Sequence, residues 1–284
     1  RTSRKASAFT LRRKLVQQTE YSFNLKKIGY FLMFVLLFTS CEYRLRPTDD
    51  DSIHRIEVER YDRMESQYLT TGDFAALQQM ETDYPMETRT LIENVLKIGS
   101  VDDSEINRKL LTFFQDSTLQ VLISDAEATF ANMEDINHQL NIAFEWLTKA
   151  LPDIHIPVIY SQIGTLDYSI VVGDHSLGIS LDKYLGEDYP LYLKHFSTSQ
   201  RKSMTRENIV PDCISFYLLS LYPIQDFESR SQEERDMHIG KVMWVTNQAL
   251  GKRFFKTFYV QKAEQYMKKH PTTSVQQLLS TNNF

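Results

Sequence analysis

The chain has 284 residues, of which 42% are apolar and 24% charged, and its formal net charge is −5 at pH 7. This length is sufficient for one domain with a large hydrophobic core. A net acidic chain argues against nucleic-acid binding, which requires a basic surface, so no nucleic-acid partner is expected.

The first predicted element is an export signal. Lys26 and Lys27 precede an apolar run of 11 residues, 28–38, and two small residues then lead to Cys41. This pattern predicts a lipoprotein signal within residues 1–40, with cleavage before Cys41 and a lipid attached to its thiol. The alternative is an uncut membrane anchor, but a spanning helix needs about 20 apolar residues.

Cleavage changes the charge and the cysteine content. It removes eight of the 32 basic residues and one of the 37 acidic ones, which leaves 24 and 36 and a net charge of about −12. If Cys41 is acylated, Cys213 has no partner, and we expect a buried, inert thiol there. Residues 41–52 are polar and acidic and predict a tether, followed by a single domain over 53–284.

Residues 56–61 alternate apolar and polar and are compatible with a short strand or a helix start.

Helical periodicity dominates residues 73–151. Pro85 can open a helix, and Asp102 and Glu105 have the spacing of a capping box. An apolar stripe predicts a long helix over 133–150.

The middle of the chain is rich in β-forming residues. Residues 156–163 and 168–172 predict two strands, and 177–181 predict a third after a turn at Gly173. We expect a small antiparallel sheet of about three strands, in which the last two form a hairpin.

Helical patterns resume in the last third. The apolar segment 209–222 predicts a buried helix, and Ser231 with Glu234 predicts a capping box for a helix through residue 249. A further helix is predicted over 255–269, and Thr273 with Gln276 is expected to cap a last short one. The predicted fold class is therefore α+β and mostly helical.

Four segments resemble the gliding-motility lipoprotein GldB family. They are LGISLDKYLG at 177–186, DYPLY at 188–192, IVPD at 209–212 and YMKKHP at 266–271. The likeness covers most of residues 53–284. It implies a lipid-anchored protein of the cell envelope whose partners belong to the gliding and secretion machinery.

GldB-like proteins look related to predicted zinc peptidases of the zincin class, in which helices pack on a small sheet. The resemblance implies a zinc-binding His-Glu-x-x-His helix at residues 211–215, where two imidazoles one turn apart share a zinc ion. Pro211 and Ser215 occupy those two positions, and His238 lies where such peptidases carry a glutamate. We therefore expect no metal, no cofactor and no catalytic residues.

A vestigial cleft is predicted between the hairpin and the helix at 209–222. The residues expected around it are Tyr168, Asp182, Tyr184, Asp212 and His238. Such a cleft could bind a peptide or a glycan on aromatic walls that also include Tyr189 and Tyr192, or the tyrosines could be packing residues.

Three functions are weighed for the chain. The first is a non-catalytic envelope lipoprotein acting through protein contacts, and the second is a ligand-binding lipoprotein. The third is a hydrolase with a carboxylate pair drawn from Asp182, Asp188, Asp212 and Glu228. No set of residues meets the geometric roles of a catalytic site, which favours the first.

Overall fold

Helices make up most of the protein, which a computed structural model describes over residues 55–281. The described residues contain twelve α-helices. They are α1 (Tyr61–Thr71), α2 (Phe74–Asp83), α3 (Pro85–Arg89), α4 (Ile106–Phe113), α5 (Ser117–Thr129), α6 (Glu134–Ala150), α7 (Pro190–His195), α8 (Thr198–Arg201), α9 (Ile209–Leu221), α10 (Gln232–Ala249), α11 (Phe258–Lys269) and α12 (Val275–Ser280). The predicted signal and the whole of the predicted tether lie outside the described residues.

One small sheet lies among these helices. Its strands are β1 (Val158–Gln162), β2 (Ile170–Val172) and β3 (Ser176–Ser180), arranged in the order β1-β3-β2. The mostly helical α+β class is thus confirmed.

The sheet is mixed, which corrects the prediction that it is antiparallel. β2 and β3 form the predicted antiparallel hairpin, but β1 runs parallel to β3. The loop at 163–169 crosses the end of β3, so that β3 lies between β1 and β2. Seven residues easily cover the two strand spacings, about 10 Å, that this crossing needs. Alternation along a strand predicts its two faces but not its neighbours, so the sequence alone did not indicate this order.

Helix α6 packs into the core through its apolar stripe. The buried side chains of that stripe are Ile136, Leu140, Ala143, Phe144 and Leu147. The neighbouring face of α6 binds the chain that leads into α1. Asn141 Oδ1 accepts the Ile56 N–H at 2.8 Å, and Asn137 Oδ1 accepts the Val58 N–H at 3.0 Å. The segment 55–60 therefore lies against α6. The same segment also contacts the sheet, because Glu59 forms a parallel bridge to Tyr160 of β1.

Of the two helix starts predicted in the first half of the chain, one is confirmed and one is wrong. Pro85 begins α3 as predicted, and a π-helical turn, Thr90–Val95, continues it. The capping box predicted from Asp102 and Glu105 is wrong, because Glu105 makes no side-chain cap bond. The side chain that bonds to the backbone before this helix is that of Asp103, whose Oδ1 accepts the Glu105 N–H at 2.9 Å.

The caps of the last helices follow the prediction more closely. Ser231 and Glu234 form the predicted capping box of α10 with both reciprocal bonds. Helix α11 begins after Thr257, three residues later than expected, because this hydroxyl caps it. The last box is formed by Ser274 and Gln277, one residue beyond the predicted pair.

Candidate functional site

Asp182 connects the carboxyl ends of the two parallel strands. It lies in a 3₁₀ turn directly after β3 and is fully buried. Because β1 and β3 run in the same direction, the loop after β1 lies within its reach. Its two carboxylate oxygens accept the N–H groups of Gly164 at 2.7 Å and Leu166 at 2.8 Å. Burial raises the pKa of Asp182 to about 6, although these bonds oppose the shift. The carboxyl group holds the loop in place and is not open to a substrate.

Tyr184 and Asp212 form a pair between the end of the sheet and helix α9. The Tyr184 hydroxyl donates a 2.9 Å hydrogen bond to Oδ2 of Asp212, and the Tyr184 side chain is almost fully buried. Burial raises the pKa of Asp212 to about 6, and the bond from Tyr184 acts against that rise. The structure therefore brings together two of the five predicted cleft residues, and it does so in the interior.

The other tyrosines of the predicted aromatic wall differ in exposure. The Tyr192 hydroxyl is buried and bonds to the main-chain oxygen of Asp182. Tyr189 is partly buried, and its hydroxyl donates to Oδ2 of Asp125 at 2.9 Å. Tyr168 alone of the four is exposed, with the Lys97 ammonium 5.4 Å from the centre of its ring. These tyrosines do not line one open surface.

A buried polar region on α1 was missed by the sequence analysis. Asp62 pairs with Arg60 at 2.8 Å and accepts the Ser161 hydroxyl at 2.5 Å. One turn further, Oε2 of Glu65 accepts the Ile163 N–H at 2.8 Å. Acids three residues apart on a helix ordinarily form a solvated face, so the pattern of α1 gave no signal of burial.

Glu65 is fully buried with one oxygen unbonded. Among the described residues, its Oε1 has no hydrogen-bond partner, and neither does Oε1 of the neighbouring Gln162. Burial raises the pKa of Glu65 well above its ordinary value, and the nearby carboxyl groups of Asp62 and Asp182 raise it further. The raised pKa favours the protonated form of Glu65, whose free oxygen can then donate a hydrogen bond.

His238 lies apart from the other predicted residues, on α10. Its side chain is only 5% exposed, and Nε2 has no hydrogen-bond partner among the described residues. A hydrogen bond to the backbone of Tyr222 must therefore use Nδ1. Burial is the main cause that lowers the pKa of His238, so the ring is neutral at pH 7.

His238 lines a cavity of about 640 Å³ between α10 and α11. The cavity also contacts Met237 and Lys241 of α10 and Tyr266 of α11. Lys241 is 3% exposed, its ammonium donates to the Thr281 carbonyl oxygen at 2.5 Å, and burial lowers its pKa to about 8. A volume of this size can hold a small organic ligand.

The stretch 211–215 forms the start of α9. Pro211 lies in its first turn, where a missing N–H is tolerated, and the Ser215 hydroxyl lies 3.1 Å from the Thr246 hydroxyl of α10. Over residues 55–281, no group of three or more His, Cys, Asp or Glu side chains is placed to hold a metal ion. In the same range, no helix has the length and apolar character to span a membrane.

Comparison with models of known protein families identifies the family of this chain. A model described as gliding motility protein GldB, a lipoprotein family, matches residues 45–254. The chain belongs to the GldB family. No curated protein and no solved structure matches the chain.

As a GldB-family member, the protein is a lipoprotein of the gliding-motility type, and the family name implies the cell envelope. The matched range contains all five predicted cleft residues. Cys41 lies outside both the matched range and the described residues, so its lipid remains a prediction. The cavity beside His238 combines α10, which the GldB model matches, with α11, which lies beyond residue 254.

Proposed function

We propose that this GldB-family protein is a lipid-anchored envelope protein that acts without catalysis, through contacts with other envelope proteins. The observation that supports this proposal is the family match over residues 45–254. The proposed role is a scaffold or stabiliser of the gliding and secretion machinery.

We infer that the fold is a peptidase-like one that has lost its metal site. In a zincin, two histidines one turn apart would project from the start of α9. Here the second of those positions is Ser215, whose hydroxyl is used in the contact with Thr246 of α10. Asp212, at the position of the catalytic glutamate, is bonded to Tyr184 in the interior. Packing thus occupies the groups that would bind metal and activate water.

The proposed anchor is a lipid on Cys41, followed by the acidic tether at 41–52. We place the protein on the periplasmic side or at the outer membrane, with the membrane as its first partner. Binding of a peptide or a glycan is less well supported, because the side chains of Tyr184 and Tyr192 are buried.

Crosslinking in native membranes, followed by mass spectrometry of the captured proteins, tests the role. The matched control is Cys41→Ala, which removes the lipid site and leaves the domain unchanged. We expect the wild type to be recovered with the membrane and with a small set of envelope proteins, and the variant to lose both. Equal recovery of both forms from the soluble fraction would contradict the anchor.

Metal content and peptide hydrolysis test the absence of catalysis separately. The full chain is purified in a neutral detergent, incubated with zinc, and freed of unbound metal. We expect less than stoichiometric zinc and no peptide cleavage above that of a heat-denatured sample. One tightly held zinc ion per chain, together with peptide cleavage that a chelator stops, would overturn the non-catalytic proposal.

A further inference from the structure

The charges of the described residues are distributed unevenly along the chain, and the segment 252–269 is strongly basic. It carries six basic residues and one acidic residue, whereas the rest of residues 55–281 carries 16 basic and 31 acidic ones. Such an asymmetry is typical of contact with an anionic surface. We propose that this segment, which includes α11, binds the surface of a membrane that contains anionic lipids. The inference rests on the proposed lipid anchor, because the anchor keeps the domain near a membrane.

The basic side chains of the segment are only partly neutralised. Arg253 and Lys268 share its one acid, Glu264. Lys262 pairs with Glu233 of α10 at 3.2 Å. The remaining three cations are exposed and form no ion pair within residues 55–281: Lys252, Lys256 and Lys269. The surface of this segment therefore carries a positive field.

Helix α11 has an apolar face toward the protein and a cationic face toward solvent. Its buried side chains are Val260 and Ala263. With 3.6 residues per turn, the opposite face contains three lysines and no acid, and its members are Phe258, Gln261, Lys262, Gln265, Lys268 and Lys269. Phe258 is 64% exposed, and the Lys262 ammonium lies 4.9 Å from the centre of its ring. Lysines beside an exposed aromatic ring are typical of helices that lie at a membrane interface.

The basic segment begins close to the point where the chain enters the domain. The Lys252 ammonium lies 3.5 Å from Oε1 of Gln139 on α6. Two residues further along α6, the Asn141 side chain binds the backbone of Ile56. Both contacts involve the same turn of the helix, so the two sites are on the order of 10–20 Å apart. Residues 42–54 span at most about 45 Å when fully extended, so a membrane that holds the lipid of Cys41 lies within reach of the segment.

A membrane with anionic lipids complements the segment in charge and in apolar character. Each lysine or arginine near such a surface adds to the attraction, which acts over about 8–10 Å at ordinary ionic strength. The acidic remainder of the domain is repelled, so the favoured orientation places α11 against the membrane. An acidic protein surface would also attract the cations, but the membrane interface in addition accepts the ring of Phe258.

Quenching of a fluorescent label on vesicles tests the proposal. The full chain with Gln265→Cys is labelled with a dye, for which the buried Cys213 does not compete. It is reconstituted in vesicles of phosphatidylcholine alone or with about 30% phosphatidylglycerol, which contain lipids spin-labelled at the headgroup. We expect at least about twofold stronger quenching in the anionic vesicles, reversed by about 0.5 M salt. A dye at Gln79→Cys, on exposed α2 surface, should show no difference, and the unsubstituted chain gives the background.

Two sets of variants in the labelled chain locate the contact. Lys256→Gln combined with Lys269→Gln should remove at least about half of the additional quenching. The matched control combines Lys194→Gln with Lys202→Gln, which are also exposed and without an ion pair among the described residues, and should have no effect.

The second set concerns the exposed ring. Phe258→Ser should also weaken the quenching, whereas Phe74→Ser, at a ring that is 75% exposed on α2, should not. Circular dichroism confirms that each variant is folded.

Three outcomes overturn the membrane contact. They are equal quenching in neutral and anionic vesicles, equal effects of the Lys256/Lys269 and control pairs, and a dimer of the detergent-solubilised chain that Lys256→Gln with Lys269→Gln dissociates. The last of these would identify a second copy as the partner. A failed anchor is recognised separately, because mass spectrometry would then show Cys41 unmodified whatever the dye reports.

Discussion

The Tyr184 hydroxyl and the Asp212 carboxylate are joined at 2.9 Å in the protein interior. Tyr184 follows the 3₁₀ turn after β3, and Asp212 lies in the first turn of α9. The bond therefore fastens the sheet to the helix that packs on it.

Removing that hydroxyl should destabilise the fold. Tyr184→Phe leaves the carboxyl group of Asp212 without its donor in a largely buried position, and we expect a loss of about 1–3 kcal/mol in the free energy of unfolding. Urea denaturation at pH 7 measures it. The matched control is Tyr168→Phe, at an exposed tyrosine, which should change the stability by less than about 0.5 kcal/mol. Equal effects of the two substitutions would contradict a special role for the pair.

Asp212 should make the stability depend on pH. Its pKa is raised to about 6 from an ordinary value of 3.8, so the unfolded state releases the proton first. The stabilisation is complete below about pH 4 and is lost as the pH rises through 6, with a contribution of up to about 3 kcal/mol. An asparagine side chain cannot ionise, so the fall in stability between about pH 4 and 7 should be smaller in Asp212→Asn than in the wild type. Parallel pH profiles of the two proteins would show that the group is not perturbed.

Asp182→Asn should loosen the loop after β1. An asparagine offers one acceptor oxygen where the carboxylate accepts two N–H groups, and its amide would face the N–H of Gly164 or Leu166. We expect a destabilisation of about 1–3 kcal/mol and faster hydrogen exchange at those two amides. Asp188→Asn is the control, because that carboxylate is almost fully exposed. Unchanged exchange at 164 and 166 would contradict the anchoring role.

Glu65→Gln should stabilise the protein most at high pH. Burial raises the pKa of the Glu65 carboxyl group in the folded state well above its ordinary value of 4.5, so the wild type loses stability as the pH rises above about 4.5. The glutamine side chain keeps an oxygen for the Ile163 N–H and cannot ionise. The stability of the variant relative to the wild type should therefore increase from pH 5 to pH 8 in urea titrations. A constant difference over that range would indicate that the pKa of Glu65 is not raised in the folded state.

Gly240 should not tolerate a side chain. A Cβ at this position would lie 2.4 Å from Cβ of Tyr259 and 2.8 Å from its carbonyl carbon, so α10 and α11 would have to separate. Gly240→Ala should lower the free energy of unfolding by about 1–3 kcal/mol, although alanine favours helices. Gln248→Ala, at an exposed position on α10, is the control and should be neutral. Thermal unfolding monitored by circular dichroism distinguishes these outcomes.

Several elements could be predicted because their signals are local. The stripe of α6 repeats every three or four residues, and the apolar side chains that form it are buried in the structure. The box of Ser231 and Glu234 and the hairpin of β2 and β3 depend on residues that are close in sequence. Glu65, in contrast, lies on a helix whose charges suggest a solvated face, and only the contact with Ile163 of the loop after β1 explains its burial.

The amino-acid sequence determined the mostly helical class, the hairpin, the long core helix and the GldB-like segments, because periodicity, caps and motifs act over a few residues. The tertiary structure decided that β3 lies between β1 and β2, that Asp212 is bonded to Tyr184, and that His238 belongs to a separate cavity with Lys241. These outcomes depend on contacts between residues far apart in the chain, and the desolvation that changes the ionisation of a carboxyl group or an imidazole arises only when those contacts form.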